Sequence, residues 1–324
     1  MKVFSYFNFF MMFLLPLMSL TSSDWILSWF YMEIMLMFFY SFFFKLNQNL
    51  MLNFASMKYF IIQGMTSLLL LVAGLSIFYH NMNNMMLLMF FLGLLIKLGV
   101  FPFHFWVIPI LNNMNNMMLF MLLYMMKIIP LSFLNMTLVE FFNNDSDLLL
   151  MLVILVSLFT MFIGSLMGNN FSSFNLMLGG SSINHSGWFM FSICLGLLWF
   201  YFIIYGIILL FLLLSVSYYN NMTIFLSLIG LSGLPPFGLF FAKLKILTSM
   251  IMNKYFFIIL MLIVLSIISL KFYLKFGFFY FLKVKINNIF NNWLCMSFLT
   301  VNSMILMLFI TNFFYSLTKK ASNF

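Results

Sequence analysis

Glu33, Lys97, Lys127 and Lys243 lie near the middle of long apolar runs, in a chain that is 65% hydrophobic and only 6% charged. A charge in hydrocarbon costs at least about 2.5–3.5 kcal/mol, so such groups face a protein interior or water, and they mark ion or proton paths. Burial disfavours a charged amine and a neighbouring carboxylate favours it. A buried lysine with a carboxylate that approaches and withdraws can therefore load and release a proton. Glu33 is the carboxylate at comparable depth, and Lys97 is its expected partner. Two readings fit the pair: a modulating partnership, in which distance controls proton affinity, or a fixed salt bridge joining two helices.

Two of these lysines stand beside helix-breaking residues. One stretch is Lys97-Leu98-Gly99-Val100-Phe101-Pro102-Phe103-His104-Phe105-Trp106, and the other is Gly233-Leu234-Pro235-Pro236 followed by Lys243. Proline lacks a backbone donor and crowds the preceding turn, so each helix is predicted to be interrupted there. Irregular backbone at membrane depth is tolerated where protein or a wet cavity satisfies it, and paired breaks often mark a transport path. Either break alone also fits a simple proline kink. Lys127 precedes Ile128-Ile129-Pro130, roughly thirteen residues into its span and too deep to reach the surface easily. His104 and His185 titrate in the range useful for a proton shuttle, and a hydrogen-bonded structural role fits each equally well. His185 sits in a polar island, Ser181 to Trp188, and His80 reads as a loop residue.

These residues need a membrane-embedded scaffold. Mean hydropathy is +1.16, and repeated apolar runs of about 20 residues are the length a spanning helix needs. The predicted fold is all-α: a polytopic bundle of about eleven helices near 3–20, 25–44, 58–79, 85–111, 115–136, 148–167, 172–190, 192–216, 222–250, 255–281 and 293–316. The fourth and ninth are the discontinuous ones. Connections are short, such as the acidic Asn143 to Asp147, so a single transmembrane domain over 1–324 is expected. The first helix reads as a retained span, and no Arg-rich amphipathic leader is visible.

Composition excludes several chemistries. Three scattered histidines do not supply haem or haem-copper ligation, and no phosphate-cradling glycine loop or dinucleotide fingerprint occurs. Cys194 and Cys295 are too far apart for a CxxC metal site and read as small buried residues. The +9 charge comes from fourteen Lys and no Arg, much of it within or flanking helices, and forms no basic run for nucleic acid. The excess of Met (33) and Phe (49) and the scarcity of Ala match AT-rich codon usage, as in a gene read inside a mitochondrion. Counting lysines in the connections, four against three favour an N-terminus in the matrix and a C-terminus in the intermembrane space.

In order along the chain, Trp29 with Glu33, Lys58-Tyr59-Phe60 with Gln63 and Ser67, the Lys97–Trp106 block, Lys127 with Pro130, Ser181 to Trp188, and Gly233–Pro236 with Lys243 form one pattern. It resembles the chain 2 family of mitochondrial NADH-ubiquinone oxidoreductase, the antiporter-like subunits in the membrane arm of respiratory complex I. The resemblance implies a modulating pair at Glu33 and Lys97, a central relay at Lys127 and a route toward the outer face at Lys243. It further implies that NADH, FMN, Fe-S clusters and ubiquinone belong to partner subunits, with no cofactor on this chain. The expected partners are neighbouring antiporter-like subunits and other membrane-arm subunits, together with lipids, in the mitochondrial inner membrane. It also implies a bundle like the bacterial subunit without its first three helices. The sequence departs from the family at Phe54, Tyr124-Met125-Met126, Gly238, Ala242 and Leu244. A free-standing cation/proton antiporter and a non-pumping scaffold are the rival readings.

Overall fold

In hydrocarbon the backbone must satisfy its own hydrogen bonds, so long uncharged runs of Leu, Met, Phe and Ile become helices. The structure is a computed structural model and describes residues 2–43, 50–79, 84–112, 114–143, 147–284 and 293–321. His80, Lys45, Lys285 and residues 144–146 of the acidic connection lie outside the described residues.

Residues up to Cys194 form one compact unit and those from Leu195 a second. The first contains α1 (Lys2–Thr21), α2 (Trp25–Phe43), α3 (Leu50–Tyr79), α4 (Asn84–Leu98), a 3-10 turn (His104–Trp106) and α5 (Val107–Leu111). It continues with α6 (Asn116–Phe120), a π-helical turn (Met121–Met125), α7 (Met126–Asn143), α8 (Asp147–Asn170) and α9 (Phe174–Cys194). The second contains α10 (Leu198–Ser217), α11 (Asn221–Ser232), α12 (Gly238–Met252), α13 (Phe256–Phe281) and α14 (Trp293–Ala321).

The predicted spans map onto these helices, with the fourth divided into α4, the 3-10 turn and α5, and the ninth into α11 and α12. Among the described residues, six helices are each long and apolar enough to cross a membrane, and shorter apolar helices include Met85–Leu98 and Asn221–Ser232. Helix α3 starts at Leu50, eight residues before the predicted 58. At about 1.5 Å per residue its 30 residues outrun a hydrocarbon layer of about 30 Å. Hydropathy marks where hydrocarbon begins, while the helix begins earlier.

The α8–α9 pair sets the frame of the first unit. Gly164-x-x-x-Gly168 on α8 meets Gly180 and Asn184 on α9, and Gly187 on α9 meets Thr160 further along α8: a Cβ on Gly180 would stand 2.6 Å from the Gly168 nitrogen, and one on Gly187 would stand 2.5 Å from Thr160 Oγ1. Small residues here let two backbones approach closely, which is how helices associate where the hydrophobic effect is absent. In the fifth span the π-helical turn ends two residues before Lys127. Pro130 removes the donor that would bond the Met126 carbonyl, and this wide turn lies immediately upstream.

Candidate functional site

Helix α4 stops at a glycine. Gly99 has φ +68, its N–H bonds the Ile96 carbonyl at 3.1 Å, and the Val100 N–H bonds the Leu95 carbonyl at 3.1 Å. This is the paired closure of a Schellman motif. Trp106 Nε1 donates to the same Ile96 carbonyl at 2.9 Å, so the interruption is satisfied by protein. Lys97 stands in the last turn of α4, where the carbonyl end of the helix dipole favours a cation. Its Nζ lies 3.0 Å from Glu33 Oε1 on α2.

Lys127, on the first turn of α7, donates to the main-chain carbonyl of Ser182 on α9 at 3.2 Å. Lys97 and Lys127 are only 7% and 6% exposed, and both line one cavity of about 20 Å³. Tyr59, Gln63, Trp106 and Pro130 share its wall. The fold therefore brings the Glu33–Lys97 pair of α2 and α4 and Lys127 of α7 to one buried region.

In the second unit, Lys243 on α12 is 6% exposed and donates to the carbonyl of Ser232, the last residue of α11, at 2.8 Å. Gly233 has φ +78, and a Cβ there would stand 2.9 Å from Lys243 Nζ. Across the break, Asn302 Oδ1 on α14 accepts the Gly238 N–H at 3.1 Å and caps the start of α12. Both interruptions use one local grammar: Gly99-Val100-Phe101-Pro102-Phe103 and Gly233-Leu234-Pro235-Pro236-Phe237 each combine a left-handed glycine with a cis bond before the proline aligned in both. Each also places a lysine at the carbonyl end of a half-helix.

The histidines occupy other positions. His104 is buried in the 3-10 turn with its ring 4.3 Å from that of Phe105, and His185 is fully buried in α9 three residues beyond Ser182. Neither lines the cavity. Cys194 and Cys295 carry free thiols and are half-buried rather than buried, each at the end of a helix. Among the described residues, no group of three or more His, Cys, Asp or Glu could hold a metal ion. The sequence reading passed over Lys245, Lys271 and Lys275. Lys245 Nζ lies 4.6 Å from the centre of the Phe200 ring, while Lys271 and Lys275 are exposed on α13, so all three stand apart from the buried set. It also gave no weight to Gln63 and Tyr59 as cavity walls or to Asn302 as a cap. An amide well inside an apolar helix was the signal available for Gln63 and Asn302.

Interrupted membrane helices with buried lysines at their carbonyl ends define an antiporter-like bundle, and the chain belongs to the NADH:quinone oxidoreductase/Mrp antiporter transmembrane family, whose model matches residues 22–223. It is 37% identical over 289 residues to NADH-ubiquinone oxidoreductase chain 2 of Albinaria caerulea, covering 89% of this chain and 92% of that one. It is 30% identical to the protein of the same name from Anopheles gambiae, covering 80% of each. The fold is shared with a chain of respiratory complex I from Thermus thermophilus (TM-score 0.74, 15% identity, 94% of this chain and 78% of that one). It is also shared with a chain of the archaeal membrane-bound sulfane sulfur reductase (TM-score 0.77, 18% identity, 96% and 74%).

Proposed function

We propose that this chain is a proton-translocating subunit of the membrane arm of respiratory complex I, coupled to NADH oxidation and ubiquinone reduction in other subunits. The observation that carries the reading is the Glu33–Lys97 ion pair at 3.0 Å opening onto a cavity that Lys127 also lines. The pair is the loading site and Lys127 the relay. Lys243, held on the carbonyl end of α11, is the corresponding proton-binding group of the second unit. His104 and His185 are structural in this scheme. NADH, FMN, Fe-S clusters and ubiquinone are assigned to partner subunits.

The proposed location is the mitochondrial inner membrane, with the N-terminus in the matrix and other membrane-arm subunits and lipids as neighbours. Similarity to the chain 2 proteins over nearly the whole chain favours this reading over a free-standing antiporter. Replacing Lys127 with Met in the assembled complex is expected to abolish most coupled turnover, measured as NADH-driven ubiquinone reduction together with proton flux. Normal pumping by that variant would sink the relay. Proton-coupled cation flux through the purified subunit alone would instead favour the antiporter.

A further inference from the structure

We propose that the outward face of α13 around Lys271 and Lys275 is a docking surface for a membrane helix of a neighbouring subunit that carries carboxylates at the same depth. The inference rests on the membrane-arm reading above. It adds one surface and the chemistry of what covers it.

Helix α13 runs from Phe256 to Phe281, and the whole of it is one apolar stretch long enough to cross a membrane. It packs on α11, and Leu265, Ser269, Phe272 and Phe276 are buried. On the opposite side Leu260, Val264, Ile267 and Phe278 are exposed, and Lys271 and Lys275 are exposed among them. Spacings of three and four residues put these six on one face. The face is therefore a continuous apolar stripe, broken by two cations one turn apart.

Depth decides what those cations meet. Ten residues separate Lys271 from Phe281, which at about 1.5 Å each is about 15 Å of helix. That is about half of a hydrocarbon layer some 30 Å thick. The Cα–Cβ bond of a helical residue tilts toward the helix N-terminus, so both lysines set out away from Phe281, their nearer end. Among the described residues Lys271 has no ion pair or hydrogen bond. Lys275 Nζ stands 5.8 Å from the centre of the Phe276 ring, at the outer limit of a cation–π contact. Charges within a membrane span pair with one another or face protein, because hydrocarbon does not solvate them. A lipid phosphate stands at headgroup level, whereas a carboxylate at the depth of Lys271 belongs to a protein helix.

The test uses the assembled complex with Lys271→Leu and Lys275→Leu together. Both side chains are exposed on this chain, so leucine disturbs no internal packing. Against lipid, the change removes two costly charges, and assembly stays as it was or rises. Against a partner carboxylate, it strands an anion in the membrane, and assembled complex on a native gel is expected to fall about tenfold. Lys283→Leu, just past the end of α13, is the control and is expected to assemble normally. Wild-type or higher assembly of the double variant overturns the proposal, and so does an equal fall in the control. Density for the unaltered complex gives a second readout. An Asp or Glu oxygen of another subunit within about 4 Å of Lys271 Nζ supports the proposal, and acyl chains or a lipid phosphate against that amine overturn it. Absence of the unaltered chain from the native-gel band with NADH dehydrogenase activity removes the membrane-arm reading itself. Its presence there, with an indifferent double variant, removes this surface alone.

Discussion

Gly233→Ala separates backbone strain from displacement of the Lys243 amine. The residue has φ +78, where an L side chain costs about 1–2 kcal/mol. The new methyl would also stand 2.9 Å from Lys243 Nζ, 3.0 Å from Cδ and 3.1 Å from Cε, so the lysine has to withdraw from the Ser232 carbonyl it now meets at 2.8 Å. A hydrogen bond from a charged donor is worth about 1.5–3 kcal/mol, bringing the total to about 2.5–5 kcal/mol. Gly196 supplies the control. Its φ is +68, and a Cβ there meets nothing within 4 Å, so Gly196→Ala carries the strain alone, about 1–2 kcal/mol. The assay is proton flux per NADH oxidised in the assembled complex, read beside the temperature of half-inactivation. Gly196→Ala is expected to lower heat tolerance slightly and pump normally, and Gly233→Ala to lose both heat tolerance and pumping. Equal behaviour of the two variants, or full pumping in Gly233→Ala, would refute the claim that Lys243 must rest on the end of α11.

Glu33→Gln leaves a buried cation without its counter-charge and is expected to cost about 3–5 kcal/mol, read as a lower inactivation temperature. Combining it with Lys97→Met should restore heat tolerance but not proton flux, whereas a mere structural clamp would regain both. Gly180→Ala pushes a methyl to 2.6 Å from the Gly168 backbone nitrogen. Backbone cannot step aside, so about 1–3 kcal/mol is lost, visible as less assembled complex on a native gel. Asn302→Leu removes the acceptor for the Gly238 N–H. It should cost about 0.5–2 kcal/mol in thermal inactivation while leaving the KM for NADH unchanged.

The residues that break helices and the residues that cost most in lipid were both readable from letters alone. Pro102, Pro235 and Pro236 announced the interruptions, and depth within apolar runs singled out Glu33, Lys97, Lys127 and Lys243. The contacts between α7 and α9 and between α11 and α12 were less legible, because two of the three lysines donate to main-chain carbonyls, those of Ser182 and Ser232. Such acceptors exist at every position and carry no sequence signature. The π-helical turn before Lys127 was equally hidden, since nothing in Met121–Met125 distinguishes it from ordinary helix. Gly164-x-x-x-Gly168 has the small-residue spacing of a close helix approach, but no partner is written beside it, and the face it meets on α9 needed the fold to be seen.

The glycine contact between α8 and α9 also sets a clock. With backbone against backbone at Gly168 and Gly180, α9 has no slack through which to slide, and the Ser182 carbonyl it carries is a stationary landing point for Lys127. Motion at this contact is left to the lysine side chain, which turns about its own bonds without dragging a helix. Helix register shifts run on the order of μs–ms, and the Lys127–Ser182 contact does not require one. Under the relay proposed for Lys127, its meeting with the Ser182 carbonyl therefore needs no helix to slide, and slower rearrangements of the bundle are left to set the pace of each cycle.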